Sequence, residues 1–432
     1  MHPLLNPPPS TMNPADAHTP KAPERDGPRD ELIASGRPLV YRLRKLPEFG
    51  LILPAGRHGH GVRLWARSLS VMQKECVVLS SRSTDLWRLA SDEGPYLKGF
   101  DSAPCPLAFF TTGLVASLMN ELQSLAGRRG IDLQGLQLVL DNFYSMSGSA
   151  LRGTMRAEAY PPRVRALVDG DFSSDPLVLE LLEEAVAASP VCALVRKPLA
   201  SLFTLELNGR LEPPAGSLSL ADSAKVETGI PFERFAPASE GDAGSACVEK
   251  LSAVVTRHGI PGGYAMGLAP SQDRRLHIRG TCRLLPDGVK EIRQELFSPM
   301  GSSFRFLSDE APGFGGEGRA PDAATYTAAG VAFCFMTQLE RYAQIVKQEL
   351  SECRVVQDLH LSNGGFSTAE AGGKCDPVET HLHVQAPAES EFARRLLNMG
   401  EQTCYLHALC RTAMEPELEL CPPGTHAAEP AP

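Results

Sequence analysis

Apolar positions recur along the chain with two different periods. Short segments in which apolar and polar residues alternate are typical of strands, whereas two long segments are apolar nearly all round, which is typical of buried helices. The pattern predicts strands at 39–44, 50–54, 62–66, 76–80, 136–142, 152–159, 265–269, 276–279, 292–297, 355–361 and 379–384. It predicts helices at 107–126, 176–188, 325–350 and 390–404. We therefore expect an α+β fold with antiparallel sheets around a few helices.

The same order of elements occurs twice, and the amino-acid sequence repeats with it. Residues 91–126 align without a gap with residues 308–343, and eleven of the thirty-six positions are identical. A second block, 176–194, aligns with 391–409 at a slightly different offset, and the order of the blocks is preserved. Preserved order is what a duplication predicts, so the chain is interpreted as two diverged copies of one module.

The repeat sets the predicted domain boundaries. At 432 residues the chain is longer than one core usually needs. The predicted organisation is a disordered tail at 1–36, a first copy at 37–208, a linker at 209–247, a second copy at 248–414 and a disordered tail at 415–432. Each copy is expected to place its sheet against its long apolar helix, with the two copies packed as a pseudo-dimer within one chain.

Composition and charge narrow the function classes. With 43% hydrophobic and 22% charged residues the chain can bury sizeable cores, and a formal charge of −9 without a basic cluster argues against a nucleic-acid partner. The N-terminal segment lacks a continuous apolar run, so neither a signal peptide nor a membrane partner is predicted. Eleven scattered cysteines are not a disulfide framework, which indicates reduced thiols and a cytoplasmic location.

Two of those cysteines differ between the copies in a correlated way. Cys334 lies in the second long apolar segment, one turn after Gly330, and Cys404 lies at the end of the last predicted helix. The aligned positions in the first copy are Ser117 and Ser189. Serine is the closest residue in shape that has no redox chemistry, so the reactive chemistry is predicted to reside in the second copy alone.

These motifs resemble the OsmC/Ohr family of osmotically inducible and organic-hydroperoxide-resistance proteins. In the second copy the resemblance rests on AAGVAFCF, a strand pair and a helix ending in Cys-x-x-His; in the first it rests on SAPCPLAFFTTGL and AASPVCAL, with serine in place of cysteine. It covers most of residues 40–200 and 250–412. Members of that family are similar in being intertwined dimers with two long central helices, which implies two OsmC-like repeats, the first degenerate, forming an intramolecular pseudo-dimer.

The resemblance implies a two-cysteine thiol peroxidase that reduces organic hydroperoxides. Cys334 would become a sulfenic acid, Cys404 would condense with it to a disulfide, and an external dithiol would reduce that disulfide. A buried thiol needs positive charge to form a thiolate. Arg57, in a Gly-Arg-x-Gly-like loop of the first copy, matches the family's arginine. No cofactor or metal is implied.

The second copy departs from the family pattern at three places. Its stretch equivalent to the arginine loop lacks the Gly-Arg pattern, although Arg274 or Arg275 could substitute. The family's glutamate ten residues before the reactive cysteine is replaced by Ala324, and by Leu107 in the first copy. Tyr405 stands where a proline is expected after the second cysteine. Asp322 and Glu310 are candidate replacements for the glutamate.

Other interpretations of the same residues stay open. Cys334 could be a covalent nucleophile, or His407 an acid–base group, acting on a metabolite between the copies. His381 and His383 alternate on a predicted strand, and with Cys404 and His407 they could form a zinc cluster. A ligand-binding protein without catalysis also fits, since buried cysteines often serve as small apolar residues. Whether pseudo-dimers pair further is left open.

Overall fold

The computed structural model describes residues 28–43, 51–57, 59–83, 85–133, 135–168, 176–220, 229–235, 237, 246–253, 272–363 and 372–422. The strands are β1 Val40–Leu43, β2 His60–Ser68, β3 Lys74–Ser80, β4 Leu86–Ser91, β5 Gln137–Gly148, β6 Arg156–Leu167, β7 Ser201–Leu207, β8 Arg210–Glu212, β9 Leu218–Ser219, β10 Val248–Ser252, β11 Gln272–Leu284, β12 Lys290–Ser298, β13 Ser303–Ser308, β14 Glu352–Ser362, β15 Lys374–Cys375, β16 Val378–Gln385 and β17 Glu417–Cys421. The helices are α1 Glu31–Ser35, α2 Pro106–Arg129, α3 Pro176–Ala188, α4 Ala193–Arg196, α5 Ala323–Ile345, α6 Ser390–Thr403 and α7 Tyr405–Cys410. The predicted α+β class is confirmed.

The strands form two sheets, and each sheet contains strands from both halves of the chain. Sheet 1 has the order β1-β4-β3-β2-β14-β16-β7-β8, with β15 beside β14 and β9 beside β7. Sheet 2 has the order β10-β13-β12-β11-β5-β6-β17. The seams are antiparallel, β2 with β14 and β11 with β5, whereas β16–β7 and β6–β17 are parallel. Neither half of the chain completes a sheet by itself.

Buried ion pairs join the halves at both seams. Arg63 of β2 donates to both carboxylate oxygens of Asp358 on β14, at 2.7 and 2.6 Å. Arg279 of β11 donates to both carboxylate oxygens of Asp141 on β5, at 2.7 and 3.2 Å. A bidentate arginine–carboxylate pair has a fixed geometry, so each pair favours one register across its seam.

The long helices α2 and α5 cross in the interior and belong to the main hydrophobic core. A Cβ added at Gly113 would come within 2.6 Å of the Ala323 carbonyl oxygen, and one added at Gly330 within 2.6 Å of the Phe110 nitrogen. Phe109 packs on Phe333 across the crossing, with ring centroids 5.6 Å apart. The close backbone approach expected from Gly330 is therefore observed, because only glycine leaves room for it.

Several predicted boundaries need correction. The tail predicted at 415–432 contains β17, whose alternating Glu-Leu-Glu-Leu sequence pairs with β6, and the tail predicted at 1–36 contains α1. The helix predicted at 325–350 ends at Ile345. Two residues later, Lys347 adopts a left-handed φ of 56°. The strand predicted at 50–54 is absent from its described residues, 51–54. The strand predicted at 265–269 lies outside the described residues.

Eight of the strands in the described residues were not predicted from the sequence: β4, β7, β8, β9, β10, β13, β15 and β17. β4 is buried at all six positions, so its sequence lacks the polar alternation by which a strand is recognised. The segment predicted as a linker, 209–247, also contributes structure: it contains β8 and β9, and Phe232 packs on the outer face of sheet 1 with Trp65 and Val356. Among the described residues, no helix combines the length and apolar character needed to span a bilayer.

Candidate functional site

The structure brings Cys334 and Cys404 together in the interior. Cys334 lies on α5 with 3% of its surface exposed, and Cys404 occupies the extended junction between α6 and α7. Burial raises the pKa of the Cys334 thiol well above its ordinary value, and the hydrogen bond with Cys404 raises it further, whereas the Leu406 amide acts in the opposite direction. The resting site is therefore a pair of contacting thiols in which burial keeps the Cys334 thiol protonated.

A matching pair of hydroxyls lies in the first half of the chain. The Oγ atoms of Ser117 on α2 and Ser189 after α3 are 2.8 Å apart, and both residues are buried. The Cys192 amide donates to the Ser189 Oγ at 3.0 Å. The two serines singled out by the alignment are thus in contact, as the two cysteines are.

The face of α5 that carries Cys334 also carries a buried arginine. Gln338 and Arg341 follow Cys334 at four and seven residues, which places all three on one side of the helix. Arg341 has 2% of its surface exposed, and its Nη1 donates to the sulfur of Met146 at 3.0 Å. Burial lowers the pKa of Arg341 to about 10, and the neighbouring Arg274 charge adds to the lowering.

Arg274 reaches the same region from sheet 2. Along β11 it alternates in phase with Leu276 and Ile278, which belong to the core, so its side chain faces the helices. Its guanidinium influences the Tyr405 phenol: burial raises the pKa of Tyr405, while Arg274 and Arg341 counteract that rise. Arg274, named as a possible substitute on sequence grounds, is therefore one of two arginines beside the thiol pair.

One carboxylate, that of Glu93, approaches the thiol pair from the first half of the chain. The Thr337 hydroxyl on α5 donates to Glu93 Oε1 at 3.0 Å, and the Tyr96 hydroxyl donates to Oε2 at 2.7 Å. Its charge raises the pKa of Cys334. The candidates named for the missing family glutamate sit elsewhere, because Asp322 caps α5 through the Thr325 amide at 2.7 Å.

Glu310, the other candidate, lies at the same helix start and accepts from the Ala323 amide at 3.3 Å. It is also 3.8 Å from the ammonium of Lys290. Both candidate carboxylates thus serve the N-terminus of α5, three turns before Cys334, rather than the thiol pair.

The structure does not bring Arg57 to the thiols. Its guanidinium pairs with Glu379 on β16 and lies 3.5 Å from Asp376. Glu379 is opposite Asp358 on β14, whereas the intervening Gln357 donates inward to the Ala328 carbonyl of α5 at 3.2 Å. Arg57 therefore lies on the outer face of sheet 1, and the site of Cys334 lies on the inner side.

His407 is enclosed by aromatic rings. Its ring centroid lies 5.6 Å from that of Phe203 and 5.2 Å from that of Phe335, and neither ring nitrogen has a hydrogen-bond partner among the described residues. Burial lowers the pKa of His407 to about 4. It is therefore a neutral imidazole at physiological pH.

The four residues considered for a zinc cluster are divided by sheet 1. The Nδ1 of His381 is 2.9 Å from the Thr204 hydroxyl, and His383 shares that outward phase of β16. Cys404 and His407 belong to the interior. No group of metal ligands is assembled among the residues that the structure describes.

A small cavity lies beside Arg341 and Gln338, on the face of α5 that carries Cys334. This cavity of about 10 Å³, roughly the space of one water, is lined by Arg341, Gln338, Met155, Met399 and Thr403, among others. The turn between β5 and β6 closes over it. The Gln402 amide, beside this wall, donates to the carbonyls of Gly153 at 3.2 Å and Met155 at 2.5 Å. A ligand larger than water fits this cavity only if the lining side chains or the turn move.

Part of the chain is similar to a known protein family. Residues 316–419, which contain both cysteines and make up 104 of the 432 residues, match the family model described as OsmC-like protein. This match agrees with the resemblance to the OsmC/Ohr family that the sequence of the second half of the chain shows. A crystal structure of an OsmC-like hydroperoxide resistance protein from Jannaschia sp. CCS1 is similar at 17% identity, covering 29% of this chain and 79% of that chain, with a TM-score of 0.18. No curated protein matches the chain.

Sequence reasoning missed Glu93 and Arg341 as site residues. Glu93 was visible only as one of the identities in the repeat, and Arg341 carried a helical signal, seven residues after Cys334. Neither the repeat nor the helical spacing shows which side chains from other elements lie beside the thiol pair.

Proposed function

We propose that the chain is an OsmC-like thiol peroxidase in which Cys334 and Cys404 reduce an organic hydroperoxide. The observation that carries the proposal is the buried contact between these two thiols, at the place where the first half holds Ser117 and Ser189. The OsmC-like family match over residues 316–419 supports it.

In this mechanism Cys334 attacks the hydroperoxide as a thiolate. The sulfur takes the outer oxygen, the O–O bond breaks, and the alkoxide leaves with the proton that the thiol gave up, so a sulfenic acid and an alcohol form. The Cys404 thiol then attacks the sulfenic sulfur, which releases water and forms a disulfide. An external dithiol returns both cysteines to thiols by two exchange steps. The positive charge of Arg274 and Arg341 stabilises the negative charge that develops on the leaving oxygen.

The proposal includes the architecture: two OsmC-like copies in one chain, forming a pseudo-dimer in which only the second copy retains the thiols. In its support, the order of strand meander, long helix, strand pair and second helix occurs twice, and each strand pair joins the sheet of the other half. The bidentate ion pairs Arg63–Asp358 and Arg279–Asp141 also occupy corresponding places.

The experiment is mass spectrometry of the reduced full chain after addition of one equivalent of cumene hydroperoxide. The proposal expects a loss of about 2 Da, from two hydrogens, and a peptide in which Cys334 is linked to Cys404. The Cys404→Ser variant should stop at a sulfenic acid on Cys334 that dimedone traps. Cys353→Ser, which changes another buried cysteine, is the control and should behave as the wild type. If Cys334 and Cys404 stay reduced while other cysteines oxidise, the proposal is wrong.

A further inference from the structure

Several buried polar atoms next to the thiol pair have no hydrogen-bond partner among the described residues. They are the Nε and Nη2 of Arg274 and the Oη of Tyr144, and within the described ranges the Tyr405 hydroxyl has no partner other than the Arg274 guanidinium. All three residues are more than nine-tenths buried. Most buried polar groups in proteins are hydrogen-bonded, and leaving one without a partner costs about 1–3 kcal/mol. The rings of Tyr144 and Tyr405 lie 5.6 Å apart and Arg274 acts on the Tyr405 phenol, so these neighbouring donors indicate a missing acceptor.

The charges of the same region point to an anion. Arg274 and Arg341 repel each other, which is one cause of the lowered pKa of Arg341. The nearest carboxylate, Glu93, already accepts hydrogen bonds from Tyr96 and Thr337. Glu93 is thus already engaged, while the Nε and Nη2 of the buried Arg274 guanidinium have no partner among the described residues, and a buried charged group left in that state is costly.

The Cys334 thiolate is not the main counter-charge of Arg274 and Arg341. The strongest influences on the pKa of Cys334 are burial, Cys404, the Leu406 amide and Glu93, whereas the two arginines act more directly on the Tyr405 phenol. The positive charge is therefore concentrated beside the thiol pair. A bound anionic group at that place would lie next to the reacting sulfur without replacing it.

We propose that Arg274, Arg341 and the Tyr405 hydroxyl form a binding site for a carboxylate group of the substrate, and that this group orients the molecule toward Cys334. Guanidinium groups bind carboxylates with two parallel hydrogen bonds, and a phenol adds a third donor. The assignment of this carboxylate to a substrate rests on the proposed function. A free inorganic oxyanion has the same chemistry, so the test separates the two sources.

The site needs an opening motion, and the structure contains the means for it. The cavity at Arg341 holds roughly one water, so a carboxylate enters only if its wall moves. Met155 and Met399 form part of that wall, and methionine side chains change shape at low cost. The turn over the cavity is tied to α6 through the two hydrogen bonds of Gln402.

The binding test uses the full chain with Cys334→Ser and Cys404→Ser, which removes thiol chemistry and copies the serine pair of the first half. Acetate, its neutral counterpart acetamide, and nitrate are titrated at constant ionic strength, and the side-chain N–H signals of arginine are followed by NMR. We expect saturable binding of acetate, no binding of acetamide and weaker binding of nitrate. Equal binding of acetate and acetamide overturns the anion site. Nitrate binding at least as tight as acetate binding overturns the carboxylate assignment.

Variants locate the site. Arg274→Gln should weaken acetate binding at least about tenfold, because a charge-assisted hydrogen bond is lost. Tyr405→Phe removes one hydroxyl and should weaken it by a smaller factor, which keeps the test valid if Arg274→Gln does not fold. Arg395→Gln, on the exposed face of α6, is the control and should bind acetate as the parent does. Unchanged binding in both Arg274→Gln and Tyr405→Phe places the anion elsewhere and overturns the proposal.

A kinetic arm uses the wild-type thiols and separates this inference from the proposed function. A hydroperoxide that carries a carboxylate should oxidise Cys334 at least about tenfold faster than its methyl ester, and the difference should disappear in Arg274→Gln. Equal rates for acid and ester overturn the substrate assignment while leaving the peroxidase proposal intact. If neither compound oxidises Cys334 but acetate still binds, the peroxidase proposal fails and the anion site stands.

Discussion

The Ser117–Ser189 pair and the Cys334–Cys404 pair occupy corresponding places on two similar helices, yet their surroundings differ in charge. Four and seven residues after Ser117 the helix carries Glu121 and Ser124, whereas the same steps after Cys334 lead to Gln338 and Arg341. Glu121 accepts a hydrogen bond from Asn363 at 2.6 Å. The helix of the serine pair thus carries a carboxylate at a position where the helix of the thiol pair carries an amide, and the guanidinium group of Arg341 lies where the first helix carries a hydroxyl.

The difference shows that a thiol pair is only part of a redox site. Opposite charges nearby lower the pKa of a thiol and like charges raise it, by about 1–3 units for close contacts. In the first half the sulfur atoms and the arginines are both absent from the helix face. The second half has both, so the comparison assigns reactivity to the thiols together with their charged neighbours.

The largest expected effect comes from making the two pairs identical. The variant Cys334→Ser with Cys404→Ser should lose all peroxide consumption, because a hydroxyl cannot be oxidised to a sulfenic acid. It should unfold at a similar urea concentration to the wild type, since Ser117 and Ser189 show that two hydroxyls satisfy each other at this place. Peroxide assays and urea denaturation measure both. If this variant still consumed peroxide, the reaction could not be assigned to the thiol pair.

The reverse exchange transplants the thiols into the first half. In the double-serine background, Ser117→Cys with Ser189→Cys should form a disulfide with diamide, because the two oxygen atoms are 2.8 Å apart. With an organic hydroperoxide it should react about 100-fold more slowly than the native pair, since no counterpart of Arg341 follows Ser117 on its helix to stabilise the charge on the leaving oxygen. Stopped-flow oxidation rates give the comparison. Equal rates would show that the charged neighbours are irrelevant.

The helix that follows each pair offers a pH-dependent contrast, because His407 stands where the first half has Cys192. Burial lowers the pKa of His407 in the folded chain to about 4, so between about pH 6.5 and pH 4 the unfolded chain binds a proton that the folded chain does not. The free energy of unfolding therefore falls as the pH drops through this range. His407→Leu should therefore lose about 2 kcal/mol less unfolding free energy than the wild type between pH 7 and pH 5. Urea denaturation at both pH values measures this, and Cys192→Leu is the control. Parallel losses in His407→Leu and the wild type would contradict the prediction.

The smallest effect concerns access. Gln402 holds the turn between β5 and β6 at the cavity beside Arg341, whereas Ala187 stands at the aligned position of the first half. Gln402→Ala should speed alkylation of Cys404 by iodoacetamide about fivefold, because a hydrogen bond worth about 1 kcal/mol no longer opposes opening. Peptide mass spectrometry over time gives the rate. The exposed Gln348→Ala serves as control, and an unchanged rate in Gln402→Ala would mean that the turn does not limit access.

Local patterns were enough to predict part of the fold and of the site. The apolar runs located α2 and α5, and the alignment paired Cys334 and Cys404 with two serines that the structure finds in contact. Arg57 was chosen by a short loop motif, and a motif does not tell on which face of a sheet its side chain lies. Arg274 was named only as a substitute for it, yet it lies in phase with the core residues of β11.

By itself, the sequence determined the α+β class, the two long buried helices and which positions carry sulfur, because those properties depend on residue type and local periodicity. Only the tertiary structure decided which strands complete each sheet, and that Glu93, Arg274 and Arg341 meet at the thiol pair. Glu93 lies 241 positions before Cys334 (334 − 93) and Arg274 lies 60 positions before it (334 − 274), and the exchange of strands between the halves brings both to the interior beside α5. Such proximity comes from chain topology and leaves no trace in the spacing of the residues themselves.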